Sequence, residues 1–152
     1  MSKVAILLGS SSDEPAMDGC KKYLEWFGIP FEVKISSAHR NPEQTAEFAR
    51  GAEKNGFHVI IAAAGMAAHL PGVVAAQTTL PVIGVPLSGS ELNGVDALYS
   101  IVQMPPGIPV ATVAIGSAGA KNAAVLAAEI LALGDSTMKA KLLEFRKKGS
   151  KL

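Results

Sequence analysis

Five short apolar runs, each followed by a stretch with helical spacing, constrain this chain more than any other feature. Val4–Leu8, Phe31–Ile35, Val59–Ala63, Val82–Val85 and Val110–Ala114 are the expected strands. Several are apolar throughout rather than alternating, as strands covered on both faces of a parallel sheet are. Glu14–Phe27 puts Met17, Cys20, Leu24 and Phe27 on one helical face, with Pro15 suited to the first turn and Gly28 to the end. Asn41-Pro42 opens the next helix and Gly56 closes it. Shorter helices are expected over Ala68–Gln77 and Gly94–Val102, and a turn of small residues over Gly116–Ala120. Lys121–Leu133 reads as a helix apolar on nearly all sides, packed against its own sheet and against another subunit. Ser136–Lys148 reads as a last amphipathic helix with Met138, Leu142 and Phe145 on its inner face. Strand-helix alternation of this kind predicts a three-layer α/β/α fold with a flavodoxin-like parallel sheet, residues 1–152 forming a single domain.

Composition narrows the class of function. The net charge is +1 with neutral histidines, so no strong basic excess marks a nucleic-acid binder. The one basic cluster, Arg146, Lys147, Lys148 and Lys151, fits a solvated helix end, where cations also suit the helix dipole. Cys20 is the single cysteine. It can form no internal disulfide and falls among apolar helix positions, so it reads as a buried small hydrophobe. No Cys/His spacing suggests zinc and no acidic cluster suggests another metal. Val4–Leu8 is too short for a signal-peptide core, and no stretch reaches the ~18 apolar residues of a membrane span. A cytoplasmic home, with no membrane partner, is the expectation.

Ligands of parallel α/β sheets bind beyond the carboxyl ends of the strands. That rule selects five loops: Gly9–Asp13, Ser36–Asn41, Ala64–Gly72, Pro86–Asn93 and Gly116–Lys121. The first has hydroxyls and amides suited to an anion, but Ser11 and Glu14 equally suggest a capping box. Asp13 would repel a phosphate and fits better as an acceptor for ribose hydroxyls. In the second loop Arg40 can fork onto a phosphate. His39 beside it is of the residue type that ordinarily titrates near ~6.5 and so gives and takes protons at neutral pH; the alternative is a loop histidine without a role. His69 lies where small residues leave room for a ligand, and His58, just before a strand, reads as surface.

Taken in order, Gly9-Ser10-Ser11-Ser12-Asp13, Ser37-Ala38-His39-Arg40, Gly65 with Ala67-Ala68-His69-Leu70-Pro71-Gly72, Leu92-Asn93-Gly94-Val95-Asp96 and Ser100-Ile101-Val102-Gln103-Met104-Pro105 resemble the N5-carboxyaminoimidazole ribonucleotide mutase family. The resemblance runs from the first strand to about Leu133. It implies conversion of N5-carboxyaminoimidazole ribonucleotide to 4-carboxy-5-aminoimidazole ribonucleotide without cofactor, metal or ATP. It implies a catalytic His39, phosphate contacts from Ser10 and Arg40, and a ribose contact from Asp13. Ser12 and Ser37 are implied as lesser site residues. Ala64 and Gly65, with His69 and Leu70, are implied around the base and the migrating carboxylate. The Ala-Ala-His-Leu-Pro-Gly stretch favours the mutase over the related branch that carboxylates aminoimidazole ribonucleotide directly. The resemblance also implies a homo-octamer. Ala63 and Met66 stand where the family often has glycine, and the C-terminal tail is short beside many members. A reading from another class, a non-enzymatic flavodoxin-like nucleotide- or flavin-binding module, would want aromatic residues in the strand-end loops, and Trp26 lies instead in the first helix.

Overall fold

A computed structural model describes residues 2–152. Its five strands are β1 (Lys3–Leu8), β2 (Phe31–Ile35), β3 (Phe57–Gly65), β4 (Val82–Leu87) and β5 (Ala111–Thr112). They form one parallel sheet in the order β2-β1-β3-β4-β5. The register runs through Val33, Ile6, Ile61, Ile83 and Ala111. The fold is the expected flavodoxin-like α/β sandwich.

Alternation along β1 and β3 divides the core. Val4, Ile6, Leu8, Val59 and Ile61 face a layer made by α1 (Asp18–Phe27), α5 (Ser117–Leu131) and α6 (Ser136–Lys147). Ala5, Leu7, Ile60 and Ala62 face the layer containing α2 (Pro42–Gly51), α3 (Leu70–Ala75) and α4 (Val95–Val102). Both faces of the central strands are therefore dry, which explains why their sequences do not alternate in polarity. β2 is different: it lies at the sheet edge, and Val33 and Ile35 remain exposed.

Several boundaries move for physical reasons. The expected helix Glu14–Phe27 begins as a 3-10 helix over Ser11–Met17 and becomes α-helical at Asp18. Pro15, which has no N–H to donate, lies inside the 3-10 stretch, and the Asp18 N–H returns to Pro15 O. Met17, Cys20, Leu24 and Phe27 are buried on one face, and Gly28 closes the helix at φ 70°. Burial pushes the Cys20 thiol up to about 12, so it stays protonated and inert. Helix α2 ends at Gly51, and Gly56 (φ 83°) turns the chain into β3 instead of capping the helix. His58 accordingly lies within β3, exposed, with Nδ1 3.0 Å from Gly56 O.

The carboxyl-terminal third holds two corrections. β5 pairs with β4 through only two residues, not Val110–Ala114, because the chain turns away to start α5 four residues before Lys121. The presumed turn Gly116–Ala120 is mostly the first turn of that helix. Gly119 permits it: a Cβ there would collide with the Ala114 carbonyl. The second correction concerns the face of α5. Ala123, Ala124, Ala127 and Ala128 are fully buried within the chain, against α1 and the sheet. The side assigned to another subunit is thus filled by helices of the same chain, while Lys121 and Asn122 face solvent. In α6, Asp135 caps the start by accepting from the Thr137 and Met138 N–H groups, and Met138, Leu142 and Phe145 are buried. Among the described residues no helix is long and apolar enough to cross a membrane.

Candidate active site

The sheet grows outward from β1 in two directions, to β2 on one side and β3 on the other. The loops after these strands diverge and leave a crevice at the carboxyl edge, as parallel sheets do where strand order reverses. A cleft of about 530 Å³ occupies it, a size suited to a small-molecule ligand. Ser10, Ser12, Asp13, Ser37, His39, Arg40, Ala64, Gly65, His69 and Leu70 all line this one cleft.

The first loop closes on itself. The Ser12 N–H donates to Ser10 Oγ at 3.3 Å, and the Ser10 N–H donates to Asp13 Oδ2 at 3.0 Å. The capping box therefore runs from Ser10 to Asp13, one residue earlier than Ser11 to Glu14, because the helical stretch it caps starts at Ser11. Ser10 Oγ and Ser12 Oγ lie 2.9 Å apart. Burial raises the Asp13 carboxyl above its ordinary value, and the Ser10 N–H pulls the other way.

The second loop is held from beneath. The Thr45 hydroxyl donates to Asn41 O at 3.0 Å, which leaves the Ser36 hydroxyl to donate to Thr45 Oγ1 at 2.6 Å. Both residues are buried. Above them the Arg40 N–H donates to Ser37 Oγ at 3.2 Å, fixing the turn that presents His39. Asn41 stands at the N-cap position of α2 with Pro42 behind it, but its side chain makes no cap bond. Among the described residues the Arg40 guanidinium has no acidic partner, so its charge is available to the cleft.

In the third loop the chain turns at Met66, whose φ of 56° lies in the left-handed region. That conformation costs a non-glycine residue roughly 1–2 kcal/mol, a physical reason for the glycine that the resemblance leads one to expect here. Ala63 has no such reason: it sits in the buried interior of β3, outside the cleft lining. Beyond Met66, Leu70 is buried and anchors α3, while His69 reaches back across the cleft. His69 Nδ1 lies 2.8 Å from His39 Nε2, with the rings nearly perpendicular at 87°.

Sequence reasoning missed this pairing, and it missed Ser88 and Gly89 of the fourth loop, which complete the wall. Their position after a buried strand was the available signal. It also missed Ser36 and Thr45, where two hydroxyls flanking a polar loop hinted at a support. Among the described residues no three His, Cys, Asp or Glu side chains come together as a metal site.

A sequence model of the family described as AIR carboxylase matches residues 3–151. The chain belongs to the AIR carboxylase family. A protein of Pyrococcus abyssi named N5-carboxyaminoimidazole ribonucleotide mutase is 58% identical over 146 residues, covering 96% of this chain and 83% of that protein. The Escherichia coli K12 protein of the same name is 54% identical over 145 residues, 95% of this chain and 86% of its own. Among solved structures, Treponema denticola PurE superposes with a TM-score of 0.89 at 30% identity, covering 99% of this chain and 92% of that one.

Proposed function

We propose that this AIR carboxylase family member is an N5-carboxyaminoimidazole ribonucleotide mutase of purine biosynthesis, an isomerase acting in the cytoplasm without cofactor or metal. The name carried by its relatives at 53–58% identity supports the activity. The observation that carries the site assignment is the convergence of His39, unpaired Arg40, Ser10 and Asp13 on one cleft.

In this reading Arg40 and Ser10 hold the phosphate and Asp13 accepts from the ribose. Ser12 and Ser37 assist, and Ala64, Gly65, His69 and Leu70 surround the base and the carboxylate. Protonated His39 gives its proton to the carbamate nitrogen as the C–N bond breaks and carbon dioxide leaves. The ring carbon then attacks the retained carbon dioxide, forming the C–C bond. Neutral His39 takes the proton from that carbon and restores aromaticity. One group serves as acid and then as base, and no proton is gained or lost overall. The cleft must be shut while carbon dioxide is free within it.

A second copy of the chain is the proposed wall, in a homo-oligomer that the family resemblance makes an octamer. The supporting apolar exposure lies at two places, Val33 and Ile35 on the edge strand β2, and Leu92, Val95, Tyr99 and Val102 at α4, toward the other side of the sheet. Grouped apolar side chains like those at α4 suit an association surface. The near-neutral charge supports a small ribonucleotide as ligand rather than nucleic acid.

The test is turnover of purified N5-carboxyaminoimidazole ribonucleotide without bicarbonate, run beside aminoimidazole ribonucleotide with bicarbonate. Turnover of the first alone is expected. Turnover confined to the second would replace the mutase with direct carboxylation.

A further inference from the structure

We infer that His69 is a positioning residue for His39, fixing through a shared proton which ring nitrogen of His39 faces the reaction. The inference rests on His39 being the proton carrier proposed above.

The two histidines come from loops that follow β2 and β3, and β1 lies between those strands. Their rings nevertheless meet, Nε2 of His39 to Nδ1 of His69, at 2.8 Å. Among the described residues neither ring has another protein hydrogen-bond partner. At that distance one proton must lie between the two nitrogens, since two lone pairs or two N–H groups would repel. The neutral pair therefore has two arrangements only. With the bridging proton on His39 Nε2, His39 Nδ1 is a lone pair and His69 Nε2 carries hydrogen. With it on His69 Nδ1, the outward roles reverse. In either case the pair presents one base and one donor, never two bases. A base at His39 selects the first arrangement: His39 reacts through Nδ1, and His69 accepts from His39 Nε2–H.

His69 is the better-anchored partner. Its carbonyl accepts the Val73 N–H at 2.9 Å at the start of α3, and the adjoining Leu70 is buried. His39 lies in a turn, exposed. An imidazole free to rotate and to exchange tautomers would spend part of its time with the wrong atom toward the substrate. Groups that lock a histidine's tautomer typically matter by about 10- to 100-fold.

The substitution series separates this role from a direct substrate contact. An asparagine side chain places its amide oxygen near the position of the histidine Nδ1, whereas glutamine reaches the position of Nε2. The kcat of His69→Leu and His69→Gln should fall about 10- to 100-fold. His69→Asn should retain several times more activity than either, and KM should change far less than kcat. Rescue by glutamine instead of asparagine would mean that His69 acts through Nε2 on the substrate, and would overturn the proposal.

The second readout needs no turnover. In the full chain labelled with 15N-histidine, with His39 assigned by the signal missing in His39→Asn, neutral His39 should carry hydrogen on Nε2. In His69→Leu it should become a tautomeric mixture, and in His69→Asn it should stay fixed. An Nδ1–H tautomer in the unsubstituted protein, or an unchanged tautomer in His69→Leu, would also overturn it. Should the protein fail to turn over the carboxylated substrate while the 15N pattern is as expected, the functional reading falls and the pairing stands. The asparagine and glutamine variants carry the comparison if the leucine variant does not fold.

Discussion

Ser36 and Thr45 join hydroxyl to hydroxyl at 2.6 Å in the buried ground beneath His39. Removing the Thr45 hydroxyl strands that of buried Ser36, at a cost of about 1–3 kcal/mol, whereas removing Ser36 leaves Thr45 still donating to Asn41 O. The strength of that support matters because His39 itself stands in an exposed turn, where its orientation comes from the scaffold below and from His69 beside it.

His39→Asn tests the proton carrier. The amide cannot give and take a proton near neutral pH, so turnover should fall by roughly 100- to 10,000-fold, the usual worth of general acid-base catalysis. His39 lies at the surface, so thermal unfolding should be little changed and nucleotide should still bind. Near-normal turnover would remove His39 from the mechanism.

Arg40→Ala tests the phosphate site. A charge-assisted hydrogen bond contributes about 1.5–3 kcal/mol. At about 1.4 kcal/mol per factor of ten, ribonucleotide affinity should weaken by roughly ten- to over a hundredfold. Isothermal titration with the product ribonucleotide measures it. Unchanged affinity would show that the phosphate lies elsewhere.

Asp13 gives a stability prediction with a definite sign. Its carboxyl is raised in the folded chain, chiefly by burial. A group raised above its unfolded value favours the folded state below the unfolded pKa and loses that contribution as pH climbs through the folded value. Ionised Asp13 therefore opposes folding at neutral pH. Asp13→Asn, which keeps an acceptor for the Ser10 N–H, should unfold at equal or higher urea at pH 7, with the difference shrinking toward pH 4. With Asp13 as the proposed ribose acceptor, activity should also fall, because its charge is gone. A clear loss of stability at pH 7 would contradict the account of Asp13.

Two substitutions separate the core from the proposed association surface at α4. Ala124 is fully buried, so Ala124→Asp should leave the chain unfolded or insoluble. Tyr99 is 68% exposed on α4, so Tyr99→Glu should leave the subunit folded and reduce the mass seen by light scattering. An assembly of unchanged mass in the folded Tyr99→Glu protein would place the contact on another face.

The legible parts of this structure are those set by local pattern. β2 matches its expected bounds because Phe31–Ile35 is enclosed by Pro30 and the polar Ser36-Ser37. Of the ten proposed site residues, Ser10, Asp13, His39, Arg40 and His69 stand out locally as polar side chains in strand-end loops, whereas Ala64, Gly65 and Leu70 rest on the family resemblance alone; all ten line the one cleft. What escaped depends on distant packing. The shortening of β5 comes from the approach of α5 to Ala114, and nothing within Val110–Ala114 announces it. An alanine-rich helix looks bare on every side until α1 and α6 are seen around it. The histidine contact joins residues thirty apart, through a sheet order that no local periodicity encodes.

The place of β2 at the rim has a further consequence. It pairs on one side only and carries the loop that holds His39, whereas His69 hangs from the interior strand β3. Peripheral strands open at lower free energy than interior ones. Each transient fraying of this rim would separate the two histidines while most of the hydrophobic interior stayed intact. Under gentle denaturing stress the molecule would thus fall silent before it comes apart, its chemistry acting as a sensor of the sheet's weakest margin.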